Sequence, residues 1–536
     1  MAMDTVGRTS DRMGRRVTTL RGQEETVESG SASRRVILWM VAILVVAGQA
    51  AAQTTPYQSS QRGAIGTGIG QTDLPDGGVF QPRIEAAVQY ADNLNLAPDG
   101  QPQVNSAGLE LAPGFYASYS TGSVAAAIDY SLVGRVWDDS DYNDVTQRLS
   151  ANGQWIAVPE WFAITGQANY GDTVIDPRVG HDYGGLGVFG PNNLTEYASA
   201  SVSPILKHRF NDFEALAQYT YGQAWYFDQG KGDPVMGFLQ GQDSRDQAAR
   251  LSFGTADEGR RMSAEVSYDW QKSEYDTALP YEYEQAGFGG GVKISRTLRI
   301  VGDVGKESDL DASTTQGGLD ADFWSAGLRW APNDRSSAEA RFGQRFFGDS
   351  YLFRFSHRAR ILQFDASYSE EPTVQTRVLS LGGFDPGNLP PGTPPGIGVG
   401  SITSSPYVAK DARASVVAEG SRTTLTLTGY RDERDYLRSF PRDEISTGAN
   451  LGASRQLASN LSVDFDLSYS DFEKGAGTVG DVAAGSTNDY DTTAIVRLNR
   501  KAGARITLSG EAGYFNRSGG QIFDGWWVGL RARYEP

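Results

Sequence analysis

The chain contains no cysteine. Disulfides, thiol chemistry and a lipidated N-terminal cysteine are therefore excluded. Histidine is nearly as scarce, with three in 536 residues. A Ser-His-Asp hydrolase needs one of them beside a serine and an acid. His181 falls in an expected loop, His208 in an expected short turn and His357 at a strand end beside Ser356. No G-x-S-x-G element is present, and no catalytic residue, metal site or cofactor is expected. Long apolar runs are also missing, apart from Val36–Ala47, and mean hydropathy is −0.40. A helical membrane protein of this size is ruled out. Basic residues are outnumbered, 48 Lys and Arg against 65 Asp and Glu, for a net charge of −17. An acidic chain argues against nucleic acid as a partner.

The one apolar run is too short to span a bilayer comfortably. Arg34-Arg35 precede it, and Ala50 and Ala52 follow with the spacing of a cleavage site, so residues 1–52 are expected to be a removed signal peptide. Ser33-Arg34-Arg35 also resembles a twin-arginine signal, but barrel strands must travel unfolded, which makes Sec the default route. Residues 53–82, rich in Gly, Gln, Ser and Thr, read as a flexible periplasmic leader. A plugged 22-stranded transporter needs a folded domain before its first strand. The leader is short for one, so no plug domain is expected.

From residue 83 to 536 one pattern repeats. In Leu461–Ser470, Leu461, Val463, Phe465, Leu467 and Tyr469 alternate with Ser462, Asp464, Asp466, Ser468 and Ser470. Alternate residues of a strand point to opposite faces, so one face is apolar and the other carries carboxylates and hydroxyls. About ten residues at roughly 3.3 Å each cross a membrane on a tilted path. Short turns such as Glu419–Arg422 alternate with long connections such as Glu370–Lys410, as periplasmic turns and external loops do. The expectation is all-β: a single antiparallel up-and-down transmembrane barrel of about 22 strands, with 18 to 22 tolerated. Its setting is the outer membrane of a Gram-negative bacterium, among lipids and lipopolysaccharide.

Arginine against lipid is costly, so the polar face is expected to line the lumen. The predicted lining includes Arg261, Glu265, Asp269, Glu339, Arg341, Arg345, Arg354, Asp365, Asp464, Asp466, Arg497, Arg505, Glu511, Arg531 and Arg533. Mixed signs among many hydroxyls suit water and sugar-like solutes better than ions of one charge, though ion pairing between strands accounts for the mixture equally well. Gly529, Ala532 and Tyr534 resemble the terminal signal read by the barrel-insertion machinery, except that Glu535 and Pro536 follow the aromatic. Asp138–Asp144 clusters oxygen ligands but lacks the EF-hand glycine and glutamate, and reads as a solvated turn. Gly287–Gly291 lies in a strand and relieves wall curvature rather than binding phosphate.

Several segments resemble a family of outer-membrane barrels associated with PEP-CTERM and exosortase systems and with exopolysaccharide biosynthesis. They are Tyr90-Ala91-Asp92-Asn93-Leu94-Asn95-Leu96, Leu111-Ala112-Pro113-Gly114-Phe115, Asp129-Tyr130-Ser131-Leu132, Asp141-Tyr142-Asn143-Asp144-Val145, Gly343-Gln344-Arg345-Phe346-Phe347-Gly348 with Ser356-His357-Arg358, and Tyr368-Ser369-Glu370. The resemblance implies a passive export conduit for exopolysaccharide, or part of one, meeting periplasmic export components at its short turns. A diffusion porin and a structural or adhesive barrel are the alternatives.

Overall fold

The computed structural model describes residues 77–174, 194–227, 242–255, 260–276, 278–310, 318–375, 377, 404–437, 443–474, 477–479, 482–484, 487–520 and 522–536. The expected signal peptide, most of the leader, His181 and the centre of the Glu370–Lys410 loop lie outside the described residues.

The strands are β1 (Gly77–Ala91), β2 (Ser106–Ser120), β3 (Val124–Trp137), β4 (Asp144–Val158), β5 (Phe162–Val174), β6 (Leu194–Phe210), β7 (Phe213–Phe227) and β8 (Ser244–Thr255). They continue as β9 (Met262–Tyr275), β10 (Tyr281–Lys293), β11 (Leu298–Glu307), β12 (Ala321–Asn333), β13 (Ser336–Arg345), β14 (Gly348–Arg358), β15 (Leu362–Thr373) and β16 (Tyr407–Glu419). The last are β17 (Thr423–Tyr436), β18 (Glu444–Ala458), β19 (Leu461–Lys474), β20 (Gly477–Val479), β21 (Val482–Ala484), β22 (Thr487–Lys501), β23 (Ile506–Gly519) and β24 (Phe523–Tyr534). Twenty-two of them form one sheet, each antiparallel to its sequence neighbour, and β24 pairs with β1 to close the ring. β20 and β21 make a separate hairpin between β19 and β22.

The strand number meets the expectation, while several boundaries differ. β1 takes in Gly77–Pro82, which the sequence assigned to the leader. β7 runs on to Phe227 and β19 to Lys474, so two connections expected from Gly222 and Asp471 begin later. The backbone ladder continues through both ends, and Lys474 pairs with Glu444 across it, so an apolar repeat is not needed to continue a strand beyond lipid. His208 lies within β6, stacked on Trp161 at 3.5 Å, rather than in a turn. The turn is Asn211-Asp212, with Asn211 at φ 52, a conformation asparagine tolerates.

Residues opposite each other in register share a face of the sheet. Following the register round the ring therefore separates two sides, and their exposure is inverted relative to a water-soluble protein. Leu425 and Leu427 of β17 are 45% and 52% exposed, while Thr428 between the same neighbours is 7% exposed. The β19 carboxylate Asp466 and hydroxyls Ser468 and Ser470 are buried as Leu467 and Tyr469 stand in the open. Proline interrupts the wall locally. The β2–β3 ladder skips Ala112 and Pro113, and the β6–β7 ladder skips Ser203 and Pro204, because proline has no N–H to give.

This orientation is testable at two adjacent positions of β17. Leu427→Arg should lower the unfolding free energy of the barrel in lipid vesicles by about 2 to 4 kcal/mol, and Thr426→Arg by less than about 1 kcal/mol. Urea titration followed by tryptophan fluorescence measures both. Equal losses would contradict the assignment of faces.

Candidate functional site: the polar lumen

Along the junction of β24, β1, β2 and β3 the inner face carries a ladder of alternating charge. Arg531 Nη2 donates to Glu110 Oε1 at 3.1 Å, and Arg135 Nε donates to Glu110 Oε2 at 3.0 Å. Arg83 grips Asp129 through Nη1 and Nη2 at 3.1 and 2.6 Å. Glu85 stands 3.7 Å from Arg83, Arg531 and Arg533, and Arg533 also pairs with Glu535. Arg531 reaches past β1 to a residue of β2, which the concave inner side of a ring allows. A second relay runs from Trp527 Nε1 to Glu511 at 2.7 Å, from Arg497 Nε to Glu511 at 2.6 Å and from Arg497 Nη1 to Asp466 at 2.8 Å. Glu110 and Glu511 are each held by donors from two other strands, which lowers the cost of removing them from bulk water.

Apolar packing exists inside the ring, but only in small groups. Leu94 and Leu96, from the β1–β2 connection, turn inward onto Trp137, Phe515, Phe523 and Trp527. Asn93 fixes that turn. Fully buried at φ 55, it accepts from Ala97 N–H at 2.7 Å and donates Nδ2 to Ala97 O at 3.1 Å and Asp524 O at 2.9 Å. Arg517 and Asp491 form a buried pair beside it. Tyr142 packs against the same group, and burial together with Asp139 and Asp141 raises its phenol above the ordinary value.

A closed, even-numbered antiparallel ring with an apolar outside and a charged inside has one solvent match, a lipid bilayer around it and water within. The chain is an outer-membrane β-barrel.

Other lumen charges pair locally. Glu339 accepts from Arg329 at 3.0 Å and from Arg341 at 2.5 Å, and Arg341 also meets Asp303. Arg345 holds Glu307 at 2.8 Å. Asp464 accepts from Asn499 at 2.6 Å, and Asp269 stands 3.7 Å from Arg250. Glu265 faces Gly289 across the β9–β10 register. Arg354 lies opposite Glu339 and shares a cavity of about 520 Å³ with Asp365. Arg261 and Arg505 are exposed and precede β9 and β23 in short turns, off the strand positions of the wall. Gly529, Ala532 and Tyr534 occupy β24, each registered against both β23 and β1. Glu110, Arg135, Asp303 and Glu307 were not singled out from the sequence, where their alternation was the only signal.

Between these charged stretches, and apart from Arg148 and the Lys207–Glu214 pair, lies a patch of uncharged polar side chains on β4–β7. Following the register, Ser150, Asn152 and Gln154 of β4 stand beside Thr165, Gln167 and Asn169 of β5. Ser199, Ser201 and Ser203 of β6 come next, and Ser203 Oγ lies 2.7 Å from Thr220 Oγ1 of β7. Asn152 Oδ1 and Gln167 Nε2 are buried without a hydrogen-bond partner among the described residues. At the short-turn end a lumen cavity of about 760 Å³ is lined by Arg83, Asp129, Ser462, Asn499, Arg531 and Arg533, among others. His357 sits at the same end, exposed, with Nδ1 2.8 Å from Ser336 Oγ. Asp139 caps a single 3-10 turn, Ser140–Tyr142, in the expected solvated turn.

No protein-family model and no curated protein matches the chain. Solved structures similar to it include a ferric enterobactin receptor mutant from Pseudomonas aeruginosa, 10% identical, covering 84% of this chain and 80% of that one, with a TM-score of 0.44. The siderophore receptor PirA from Acinetobacter baumannii is 9% identical over 87% and 81%, at 0.45. The FrpB iron transporter from Neisseria meningitidis is 8% identical over 86% and 83%, at 0.46. These are TonB-dependent receptors, which have an N-terminal plug domain. Against these receptors the expectation of a barrel with no plug domain is withdrawn. It rested on the shortness of residues 53–82, and residues 1–76 lie outside the described residues.

Asn93→Ala leaves Ala97 N–H and two carbonyls without partners inside the barrel, and should lower stability by about 2 kcal/mol. Urea unfolding of the refolded variant in vesicles measures this. An unchanged midpoint would remove Asn93 from the closure.

Proposed function

We propose that this barrel is a passive conduit for exopolysaccharide crossing the outer membrane, or the outer-membrane part of one, akin to the exopolysaccharide-associated barrels whose motifs it resembles. The observation that supports this reading is the uncharged polar patch of β4–β7. Sugars offer hydroxyls that both donate and accept, and rows of Ser, Thr, Asn and Gln match them without selecting a charge. The unpartnered amide atoms of Asn152 and Gln167 are groups a passing hydroxyl can satisfy. Short turns such as Asn211-Asp212 would face periplasmic export components. No step needs a cofactor; the drive would come from synthesis within the cell.

Deletion of the gene should abolish surface polymer and leave it in the periplasm, with outer-membrane integrity intact. Quantifying polymer in both fractions tests this. Unchanged surface polymer would sink the export reading and leave a diffusion porin using the same wall.

A further inference from the structure

Most lumen arginines hold a carboxylate, but two cations at the short-turn end do not. Arg422, in the β16–β17 turn, and Lys501, at the end of β22, are exposed and stand in no ion pair among the described residues. Lys501 lies opposite Thr507 and Thr507 opposite Arg533, which puts Lys501 on the inner face.

Both line the lumen cavity of about 760 Å³ at that end. Its wall holds five basic residues, Arg83, Arg422, Lys501, Arg531 and Arg533, against three acids, Glu85, Asp129 and Glu535. The acids are already taken. Asp129 is gripped by Arg83, Glu85 stands between Arg83, Arg531 and Arg533, and Glu535 pairs with Arg533. The charge left over is positive, in a chain whose net charge is −17. Beside it runs a level row of uncharged groups, with Gln456 opposite Ser462, Ser462 opposite Asn499 and Asn499 opposite Ser509.

The balance of charge follows the barrel axis. Also near the short turns, the cavity of about 520 Å³ sets Arg329, Arg354 and Arg413 against Glu339 and Asp365, and Arg354 stands in no ion pair among the described residues. Toward the long connections the sign reverses. One cavity there has Asp309, Asp349, Glu370 and Asp435 against Lys410, and another has Asp303, Glu370 and Glu371 against Arg341 and Arg345. Such a gradient draws an anion in at the short-turn end and weakens its hold at the other.

We propose that the cavity at the short-turn end is a binding site for an acidic sugar unit, whose carboxylate meets Arg422 and Lys501 while its hydroxyls meet the row from Gln456 to Ser509. Arginine offers a carboxylate a planar fork of donors and lysine a compact charge. Hydroxyl and amide side chains both donate and accept, as sugar hydroxyls do. Leu461 is the one aliphatic side chain in the lining, so the cavity suits a glycan rather than the acyl chain of an anionic lipid. Resting on the conduit reading, the site adds that the polymer is acidic and is gripped where it enters.

Calorimetric titration of the full chain in detergent, with oligogalacturonate and with a maltooligosaccharide of equal length, tests the site. At low salt the acidic glycan should bind about tenfold more tightly than the neutral one, and Arg422→Gln combined with Lys501→Gln should remove that preference. Lys306→Gln, on the outward face where Lys306 meets Asp322, should leave it unchanged. Arg422→Gln alone, which should reduce the preference, serves should the double variant fail to fold. Equal affinity for the two glycans, binding of neither, or a preference that survives in the double variant overturns the site. In the last case a fall in co-purified phosphatidylglycerol would assign the two cations to lipid. The conduit reading fails separately, through unchanged surface polymer in the deletion strain, whatever the charge of that polymer.

Discussion

Hydrocarbon offers no hydrogen bonds, so every backbone N–H and C=O of a membrane wall must find its partner within the wall. For a sheet this means that the last strand must meet the first. Here β24 and β1 meet over eight registered pairs, and the β1–β2 connection completes the rest by turning Asn93, Leu94 and Leu96 into the ring. The inward turn needs a left-handed residue whose side chain can also bond backbone on two strands. Asparagine meets both demands. Around the same junction the ladder of Arg83, Glu85, Glu110, Arg531 and Arg533 ties three strands together on the wet side. Closure is thus secured by backbone on the membrane side, by charge on the lumen side, and by a small apolar cluster at the outer end.

The same constraint shapes the lumen. Once the outside is committed to lipid, every second residue must face in, and the polar inventory of the strands becomes the wall of a channel. Where carboxylates and guanidinium groups alternate, they neutralise one another and leave little net field along the path. Along the middle of β4–β7 the wall carries a patch of hydroxyls and amides, with the Lys207–Glu214 pair set apart toward the short turns. A wall of this kind orders water and sugar-like groups without trapping ions of either sign.

Much of the fold was legible because the period of two survives in every strand. Leu461–Ser470 alone announces two faces of opposite character, and the spacing of such segments gives a strand number near the observed 22. Partnership was not legible. Arg531 and Glu110 lie 421 positions apart, and only closure of the ring brings them together. Asn93 was visible within a motif, but its role depends on the carbonyl of Asp524 across the seam. The short β14–β15 ladder, six registered pairs against ten and twelve on either side, left no trace in the alternation, since Tyr351 and Glu370 both keep strand spacing. His208 was misplaced because a polar stretch near a turn looks like the turn itself, whereas stacking on Trp161 keeps it in β6.

Single-channel recording of the full chain in a planar bilayer is the measurement to make. A polar lumen of mixed charge predicts steady current, a reversal potential near zero in a potassium chloride gradient, and reversible reduction of that current by neutral dextran. Folded protein that passes no current, or one that passes ions of a single sign, would contradict it.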